Sequence, residues 1–235
     1  MDIKQFAYWV ASLEILFISL MCMESLWVDK YMGNELGRLE KPIAFAKLPL
    51  NFELEAISSE IEKLGESQWH MHVNQACFSG SWDVLPLYSK EEHIDAHPIL
   101  QCFSIEQTDA DFIPLPVMKH LPTLANFLEQ FQCSLKSIRL MRLQGDSKIL
   151  PHNDHQVSME YGEARIHVPI SGIDDVDFTV DGQRVPMMRG DVWYMNAHLV
   201  HSVSNLGSEP RINLVIDCKV EDWLKNIIKS SEQKF

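Results

Sequence analysis

The sequence predicts a mainly β domain in which short antiparallel strands close into a barrel or form two facing sheets. The main observation is a run of eight strand-like segments between residues 137 and 217, separated by turn signals such as Gly145-Asp146, Ser171-Gly172 and Asp181-Gly182. Helical spacing of apolar residues is confined to the flanks of this run. The chain has 235 residues, of which 46% are apolar and 23% charged, which is typical of one globular domain.

The chain begins with an apolar segment, residues 6–23, that contains a single acid, Glu14. A segment of this length is at the lower limit for a membrane-spanning helix, and Glu14 would add about 2–3 kcal/mol to the cost of insertion. We interpret residues 1–31 as an N-terminal apolar helix packed on the domain or on a second subunit. A membrane anchor is the alternative. A start codon placed too early, with Met32 preceding the domain, is the third interpretation.

Residues 32–235 are predicted to form one domain, with a barrel core at about 137–218. Before the core, the pattern predicts a strand at 42–49, an amphipathic helix at 52–64, short strands at 69–73, 76–78 and 82–88, an irregular loop at 91–116 and a second helix at 122–133. The core strands are predicted at 137–143, 148–154, 164–170, 176–180, 183–188, 191–196, 201–205 and 211–217. A short helix is predicted within the tail, 221–235.

Charge and cysteine content argue against two classes of protein. The net charge is −13, and the absence of a basic stripe argues against nucleic-acid binding. The five cysteines are scattered and form no Cys-x-x-Cys pair, which indicates free thiols and not a disulfide frame or a zinc site. We therefore expect a cytoplasmic protein, with membrane contact only through residues 6–23.

The strongest chemical signal is Pro151-His152-Asn153-Asp154. Alternate side chains of a strand leave the same face, so the imidazole of His152 and the carboxylate of Asp154 can point at one spot. His-x-Asp alone is a weak signal, since a hydrogen-bonded surface pair is its ordinary explanation. Here His201 follows 49 residues later, in the same run of strands. Two histidines and a carboxylate on one side of an iron leave three coordination positions open, as non-haem Fe(II) oxygenases require.

Arg211 follows His201 at a spacing of ten residues and opens the last predicted strand. A fixed guanidinium near the metal can hold the far carboxylate of a 2-oxo-acid cosubstrate through two parallel hydrogen bonds. His152, Asp154, His201 and Arg211 together predict an Fe(II)- and 2-oxoglutarate-dependent hydroxylase that uses O2.

Several short runs carry a resemblance to a known family. They are Arg139-Leu140-Met141-Arg142-Leu143, Pro151-His152-Asn153-Asp154, Arg165-Ile166-His167, Gly190-Asp191-Val192-Trp193-Tyr194, Leu199-Val200-His201-Ser202, Pro210-Arg211 and, more weakly, Gly80-Ser81-Trp82-Asp83. The chain from about residue 40 to 220 resembles the aspartyl/asparaginyl β-hydroxylase family of 2-oxoglutarate oxygenases, and is especially similar to the bacterial branch with the proline cis-hydroxylases. The resemblance implies a double-stranded β-helix, the jelly-roll core of cupins, with flanking α-helices outside it.

The same resemblance implies a metal site and a cosubstrate site. His152, Asp154 and His201 match the family's iron ligands. Arg211 matches the arginine that pairs with the distal carboxylate of 2-oxoglutarate. These are the residues at which we expect the catalytic centre.

Three further residues match positions around this site. Arg165 and His167 match residues that line the cosubstrate pocket, and Arg139 matches a residue that binds either the cosubstrate or a substrate carboxylate. The animal members that hydroxylate proteins lack the acidic ligand, whereas this chain has Asp154. The resemblance therefore implies the branch that acts on small molecules.

Three functions remain open at this point. The first is hydroxylation of an unactivated C–H bond of a free amino acid or amino-acid-like substrate, with release of succinate and CO2. The second is hydroxylation of an aspartyl or asparaginyl side chain in a peptide or protein. The third is a metal-binding cupin without turnover, against which Arg211 argues because a sensor needs no carboxylate clamp.

The other histidines carry no recognisable pattern. His155 follows Asp154 directly and would leave the opposite face of a strand, so we expect it not to be a ligand. No second metal site is expected among the remaining histidines His70, His72, His93, His97 and His120.

Overall fold

The structure is a computed structural model that describes residues 41–73, 75–102 and 112–231, and within them thirteen strands and four α-helices. The strands are β1 Phe45–Leu48, β2 His70–Met71, β3 Phe78–Ser79, β4 Trp82–Lys90, β5 Phe112–Pro114, β6 Leu135–Leu143, β7 Ser147–His152, β8 Glu163–Ser171, β9 Val176–Val180, β10 Gln183–Arg184, β11 Val192–Met195, β12 His201–Asn205 and β13 Arg211–Lys219. The helices are α1 Leu54–Glu62, α2 Pro98–Gln101, α3 Pro122–Leu128 and α4 Asp222–Ser230. The apolar helix predicted at 6–23 lies outside the described residues.

The strands form two antiparallel sheets that pack face to face. The larger has the order β1-β11-β8-β13-β6-β4-β2, with β5 paired to β4, and the smaller has the order β10-β9-β12-β7-β3. Side chains from both sheets share one apolar cluster, in which Leu143 and Trp193 of the large sheet join Ile149 and Phe178 of the small one. This arrangement confirms the mainly β, jelly-roll prediction.

Alternation along the central strands gives the large sheet two different faces. On β8 and β13, Ile166, Leu214 and Ile216 belong to the outer core, whereas Arg165 and Asp217 point to the other side and bond each other. The inner face therefore carries charged groups at the middle of the sheet, where an apolar surface would be expected. These charges surround the candidate site.

The outer face is covered by helices, as the sequence predicts. Ile57 and Ile61 of α1 and Leu124 and Phe127 of α3 are buried in the same cluster as the outer side chains of the sheet. Phe127 also packs edge-to-face against Phe52, with ring centroids 4.9 Å apart, a geometry that adds about 1 kcal/mol to the burial of the rings. Helices α1 and α3 thus complete the core on the outer side of the large sheet.

The Asp181-Gly182 pair forms the tight hairpin expected of it. Gln183 pairs with Val180, so the loop has two residues. Both have positive φ, 51° and 70°, as a turn that matches the strand twist requires. The hairpin prediction is confirmed, and it ends the small sheet on the β10 side.

Several predicted elements end earlier than expected. The strand predicted at 183–188 stops at Arg184 because Pro186 has no N–H for a ladder. The helix predicted at 122–133 stops at Leu128. The strand predicted at 69–73 covers only His70–Met71, and a 3-10 turn, residues 75–77, occupies most of the strand predicted at 76–78.

The state of the cysteines and the lengths of the helices bear on two of the sequence predictions. Among the described residues, Cys77, Cys102, Cys133 and Cys218 are all free thiols. No helix in the described ranges combines the length and apolar character that a bilayer crossing demands.

The turn before β9 gives a test of the packing between β8 and β13. Gly172 has φ 64°, and a Cβ there would overlap the carbonyl oxygen of Pro210, next to Arg211. Gly172→Ala should lower the free energy of unfolding by about 3 kcal/mol, from backbone strain plus overlap. The matched control is Gly182→Ala, with φ 70° and open space around it, which should cost about 1 kcal/mol. Equal losses in denaturant titrations would contradict the close approach.

Candidate metal centre

The two sheet-bound ligand candidates meet at one end of the small sheet. His152 is the last residue of β7 and His201 the first of β12, and the two are register partners. Their ring centroids are 4.3 Å apart. Asp154 completes the group, since one ligand atom from each of the three residues lies within 4.8 Å of the other two. Two imidazoles and a carboxylate at this separation can hold one metal ion.

Each imidazole ring is oriented by a backbone carbonyl two residues earlier in the sequence. Nδ1 of His152 lies 2.8 Å from the carbonyl oxygen of Leu150, and Nδ1 of His201 lies 3.0 Å from that of Leu199. A carbonyl only accepts hydrogen bonds, so Nδ1 carries the proton in each ring and donates it. Nε2 is then the free lone pair in each ring, as metal ligation requires.

Asp154 reaches the site from a turn, which corrects the predicted strand 148–154. The strand ends at His152, and the backbone N–H of Asp154 then donates to the carbonyl of Ala197 at 2.8 Å. Val157 N–H donates back to the Asp154 carbonyl at 3.2 Å, and Gln156 has φ 61°. The chain leaves the sheet because the turn bonds replace the ladder, so the side chain is positioned by the turn and not by strand alternation.

The carboxylate of Asp154 is held in its charged form. Burial alone would raise its pKa, but the Arg165 guanidinium, with the nearby imidazoles, lowers the pKa well below its usual range. Nη1 of Arg165 donates directly to Oδ2 of Asp154. Burial, with His152 beside it, lowers the pKa of His201 to about 4. At neutral pH these two residues therefore offer a carboxylate and a neutral imidazole.

Asp217 is the buried carboxylate that fixes two arginines behind the centre. Its oxygens accept from Nε of Arg165 at 2.7 Å, from Nη2 of Arg165 at 3.1 Å and from Nη1 of Arg139 at 2.9 Å. Nη1 of Arg139 also donates to the hydroxyl of Ser137 at 3.2 Å. Asp217 is 1% exposed, so these bonds are shielded from water and charge-assisted. Sequence reasoning did not single out Asp217.

Arg211 lies at the other end of β13, where the described residues offer it no charge partner. Its guanidinium carbon is 5.6 Å from the centroid of the Phe178 ring, and the residue is 3% exposed. Nη2 is buried and makes no hydrogen bond to any residue in the described ranges. Burial lowers the pKa of Arg211 to about 10, which still leaves it charged at neutral pH. A buried, uncompensated guanidinium is costly unless an anion joins it.

His167 of β8 and Asn213 of β13 lie on the inner face of the large sheet, in the stretch between Asp217 and Arg211. Nδ2 of Asn213 lies 3.0 Å from Nδ1 of His167. Burial, and then Arg211 and Arg165, lower the pKa of His167 well below its usual value, so the ring is neutral. With Asn213 donating to Nδ1, the proton of the ring is on Nε2. The Oδ1 atom of Asn213 has no hydrogen bond within the described part of the chain.

Two other histidines, His155 and His72, lie close to the ligand candidates in the sequence or in space. The possible metal-binding group does not include His155, whose ring lies 5.9 Å from that of His198. His72 approaches the site, although the sequence gave it no partner pattern. Its ring stacks on Trp82 at 3.8 Å. Burial first, and then Arg139, lower its pKa to about 4.

Comparison with known proteins gives one family and several more distant structures. The family model described as aspartyl/asparaginyl beta-hydroxylase matches residues 51–220. L-proline cis-4-hydroxylase of Rhizobium meliloti (strain 1021) is 26% identical over 127 residues, which are 53% of this chain and 45% of that protein. The chain therefore matches less than half the length of this relative.

Two solved structures are similar to this chain at low sequence identity. A 2OG-Fe(II) oxygenase family oxidoreductase from Burkholderia pseudomallei has a TM-score of 0.48 and 15% identity, over 71% of this chain and 78% of that one. The non-heme alpha ketoglutarate dependent epimerase SnoN from nogalamycin biosynthesis has a TM-score of 0.46 and 13% identity, over 74% and 77%.

Removal of the central carboxylate tests the charge network. Asp217→Asn leaves Arg139 and Arg165 with one negative charge fewer in a buried place, so it should lower the free energy of unfolding by about 3 kcal/mol. Asp95→Asn, on an exposed loop, should change it by less than about 0.5 kcal/mol. Denaturant titration at pH 7 measures both. Equal stability of the two variants would show that Asp217 does not balance the arginines.

Proposed function

The chain belongs to the aspartyl/asparaginyl β-hydroxylase family, and from this membership we propose that it is an Fe(II)- and 2-oxoglutarate-dependent dioxygenase. Its substrate in this proposal is a free amino acid or an amino-acid-like molecule, hydroxylated at an unactivated C–H bond. The observation that carries the proposal is the cluster of His152, Asp154 and His201, to which the buried guanidinium of Arg211 is linked through His167, a ring with both Arg211 and His201 among its charged or titratable neighbours.

His152, Asp154 and His201 are the proposed iron ligands. The donor set fits ferrous iron, since two imidazoles and one carboxylate leave three coordination positions for small molecules. The ring orientations support this role because Nδ1 of each histidine is bonded to a carbonyl and Nε2 is available. With Fe(II), 2-oxoglutarate and O2 bound, the centre supplies the oxidising power for hydroxylation, with release of succinate and CO2.

Arg211 is the proposed partner of the distal carboxylate of 2-oxoglutarate. A dicarboxylate fits a site that has a metal at one end and a buried guanidinium with a free donor at the other. The neutral ring of His167 lies between them and has an N–H to donate. Arg165 is already held by Asp154 and Asp217, so we assign it the positioning of Asp154 and a part in lining the pocket.

Water exclusion is the second task of the inner face. Phe178, Met195, Trp193 and Val203 form an apolar cluster on the inner side of the two sheets. A dry surrounding strengthens the charge pairing at Arg211 and protects reactive species from water. Arg139 is the group proposed to receive a substrate carboxylate or to assist the cosubstrate.

The relative named as an L-proline cis-4-hydroxylase supports a small amino acid as substrate. The presence of Asp154 supports this, since the resemblance implies that the animal members that hydroxylate proteins lack the acidic ligand. Hydroxylation of an aspartyl or asparaginyl residue in a peptide is the second candidate, favoured by the description of the family itself. A metal-binding cupin without turnover would leave the buried charge of Arg211 unexplained.

The decisive experiment is a panel of free amino acids and of Asp- and Asn-containing peptides with Fe(II), 2-oxoglutarate and O2. A +16 mass shift in one amino acid, with succinate formed in step, is the expected result. His152→Ala and Asp154→Ala should reduce both products about 100-fold or more, because each removes a metal ligand. His120→Ala, on an exposed 3-10 turn, should retain full activity. A mass shift in peptides alone would favour the second candidate. If the wild type formed neither a +16 product nor succinate with any member of the panel, the proposal would be overturned.

Arg211→Met separates cosubstrate binding from folding. The apparent KM for 2-oxoglutarate should rise about 100-fold, from the loss of two charge-assisted hydrogen bonds. The ligand-free protein should be as stable as the wild type or more stable, because an unpaired buried charge is removed. Arg184→Met is the control, since Arg184 is largely exposed and pairs with Asp177. A destabilised protein with unchanged KM would contradict the assignment.

A further inference from the structure

A cavity of about 470 Å³ lies at the end of the barrel opposite the candidate metal centre, and Arg211 is part of its wall. We propose that this cavity is a second binding site, which takes a small apolar carboxylate and holds it by Arg211 and Arg189. Only the competition with 2-oxoglutarate that this site would cause rests on the proposed function.

The connection between β10 and β11 forms one side of the cavity. Pro186 has no N–H for a strand ladder, so the chain leaves the small sheet there. The N–H of Val185 donates to the carbonyl of Phe178 on β9 at 2.8 Å. At the other end of the connection, the N–H of Gly190 donates to the carbonyl of Pro169 on β8 at 2.8 Å. The connection therefore bridges the two sheets, and Phe178 and Pro169 both line the cavity.

Strand register separates the cavity from the metal centre. On β9, Val180 is the partner of His201, whereas Val176, four residues away, lines the cavity. On β8, Arg165 donates to the candidate carboxylate ligand, whereas Pro169, again four residues away, lines the cavity. Four residues of a strand span about 13 Å. The wall of the cavity, as described, contains none of the proposed metal ligands.

The charged side chains of the wall favour an anion. They are the guanidiniums of Arg211, Arg189 and Arg184 and the carboxylate of Asp174. Arg184 is paired with Asp177 at 3.4 Å. Arg189 donates from Nε to a backbone carbonyl at 2.8 Å and forms no ion pair with a described residue. Arg211 is 3% exposed, and its Nη2 has no acceptor in the same part of the chain. Three guanidiniums against two carboxylates leave the site positive.

The rest of the wall is apolar, which restricts the kind of anion. Besides two prolines, it is formed by Ile173, Val176, Phe178, Val185, Met187 and Met188. Methionine side chains adapt to ligands of different shape, and the volume of about 470 Å³ is in the range of small-molecule pockets. A carboxylate with an aliphatic or aromatic body would use both the charged and the apolar parts of this wall, whereas a strongly hydrated anion such as phosphate would leave the apolar part unused.

Arg211 belongs both to this cavity and to the proposed cosubstrate site. In the proposed function, its guanidinium pairs with the distal carboxylate of 2-oxoglutarate. One guanidinium does not balance two buried carboxylates, and their like charges repel each other. A carboxylate in the cavity should therefore compete with 2-oxoglutarate without approaching the metal.

The test titrates the full-length protein with 3-phenylpropanoate, and with 3-phenylpropanamide as the uncharged control. NMR of isotope-labelled methionine methyl groups reports where the molecule binds, without metal or 2-oxoglutarate present. Met187 and Met188 line the cavity, whereas Met195, the register partner of Arg165, lies near the metal centre. The apparent KM for 2-oxoglutarate is then measured with Fe(II) at increasing concentrations of 3-phenylpropanoate.

Three variants locate the charge that holds the carboxylate. Arg189→Gln and Arg211→Met each remove one guanidinium of the wall. Lys225→Gln, on the exposed side of α4, removes a positive charge elsewhere on the surface and is the matched control. The methyl spectrum of each free variant shows whether its fold is kept.

The carboxylate should shift the methyl signals of Met187 and Met188 with a Kd on the order of 1 mM or below, and the amide should not. Arg189→Gln should weaken binding about fivefold, as the loss of a partly exposed charge contact would. Arg211→Met should weaken it at least about tenfold, and Lys225→Gln should bind like the wild type. The apparent KM for 2-oxoglutarate should rise in proportion to the concentration of 3-phenylpropanoate.

Shifts confined to Met195 would overturn the inference, whether or not the protein turns over a substrate. Equal binding of the carboxylate by the wild type, Arg189→Gln and Arg211→Met would also overturn it. Binding in the cavity with an unchanged KM for 2-oxoglutarate would contradict the sharing of Arg211. Binding in the cavity by a protein that turns over no substrate would overturn the proposed function and leave this site standing.

Discussion

The structure depends on one buried pairing of charges, in which Asp217 joins Arg165 and Arg139 on the inner face of the large sheet. Arg165 extends the pairing to Asp154, so two arginines and two carboxylates balance within the barrel. Such a network is worth little as net stability when both charges must be desolvated, but losing one member leaves the others exposed to a low dielectric. Its main effect is to give Asp154 a set direction and a set charge.

Arg211, on the same strand as Asp217, is buried without such a pairing among the described residues. Asp217 near one end of β13 accepts hydrogen bonds from Arg139 and Arg165, whereas Nη2 of Arg211 at the other end is buried with no acceptor among the described residues. A folded protein keeps such an imbalance when a ligand completes it, because the cost to the free protein becomes affinity in the complex. The part of the site around Asp217 is therefore complete in the protein alone. The part around Arg211 would be completed by the cosubstrate.

The limits of sequence reasoning follow from which contacts are local. The spacing of His152 and Asp154, the Asp181-Gly182 turn and the core strands are encoded within a few residues, and these predictions were close to the structure. Asp217 bonds arginines that are 52 and 78 residues away in the sequence, and a lone aspartate in an apolar strand gives no sign of that. The approach of His72 to the site was missed because it depends on the pairing of this short segment with β4, a tertiary contact that the strand predicted at 69–73 does not specify. Asp154 was assigned to a strand because a turn bonded to Ala197 is a tertiary contact.

The bonds of His152 and His201 to carbonyls two residues earlier divide the candidate centre between the two sheets. Both imidazoles are aligned by near neighbours in the sequence, on the side of β7 and β12, whereas the carboxylate of Asp154 is held by Arg165 of the large sheet. A separation of the sheets would keep the two imidazoles together and free the carboxylate, so a bound ion would lose the anionic member of its three ligands first.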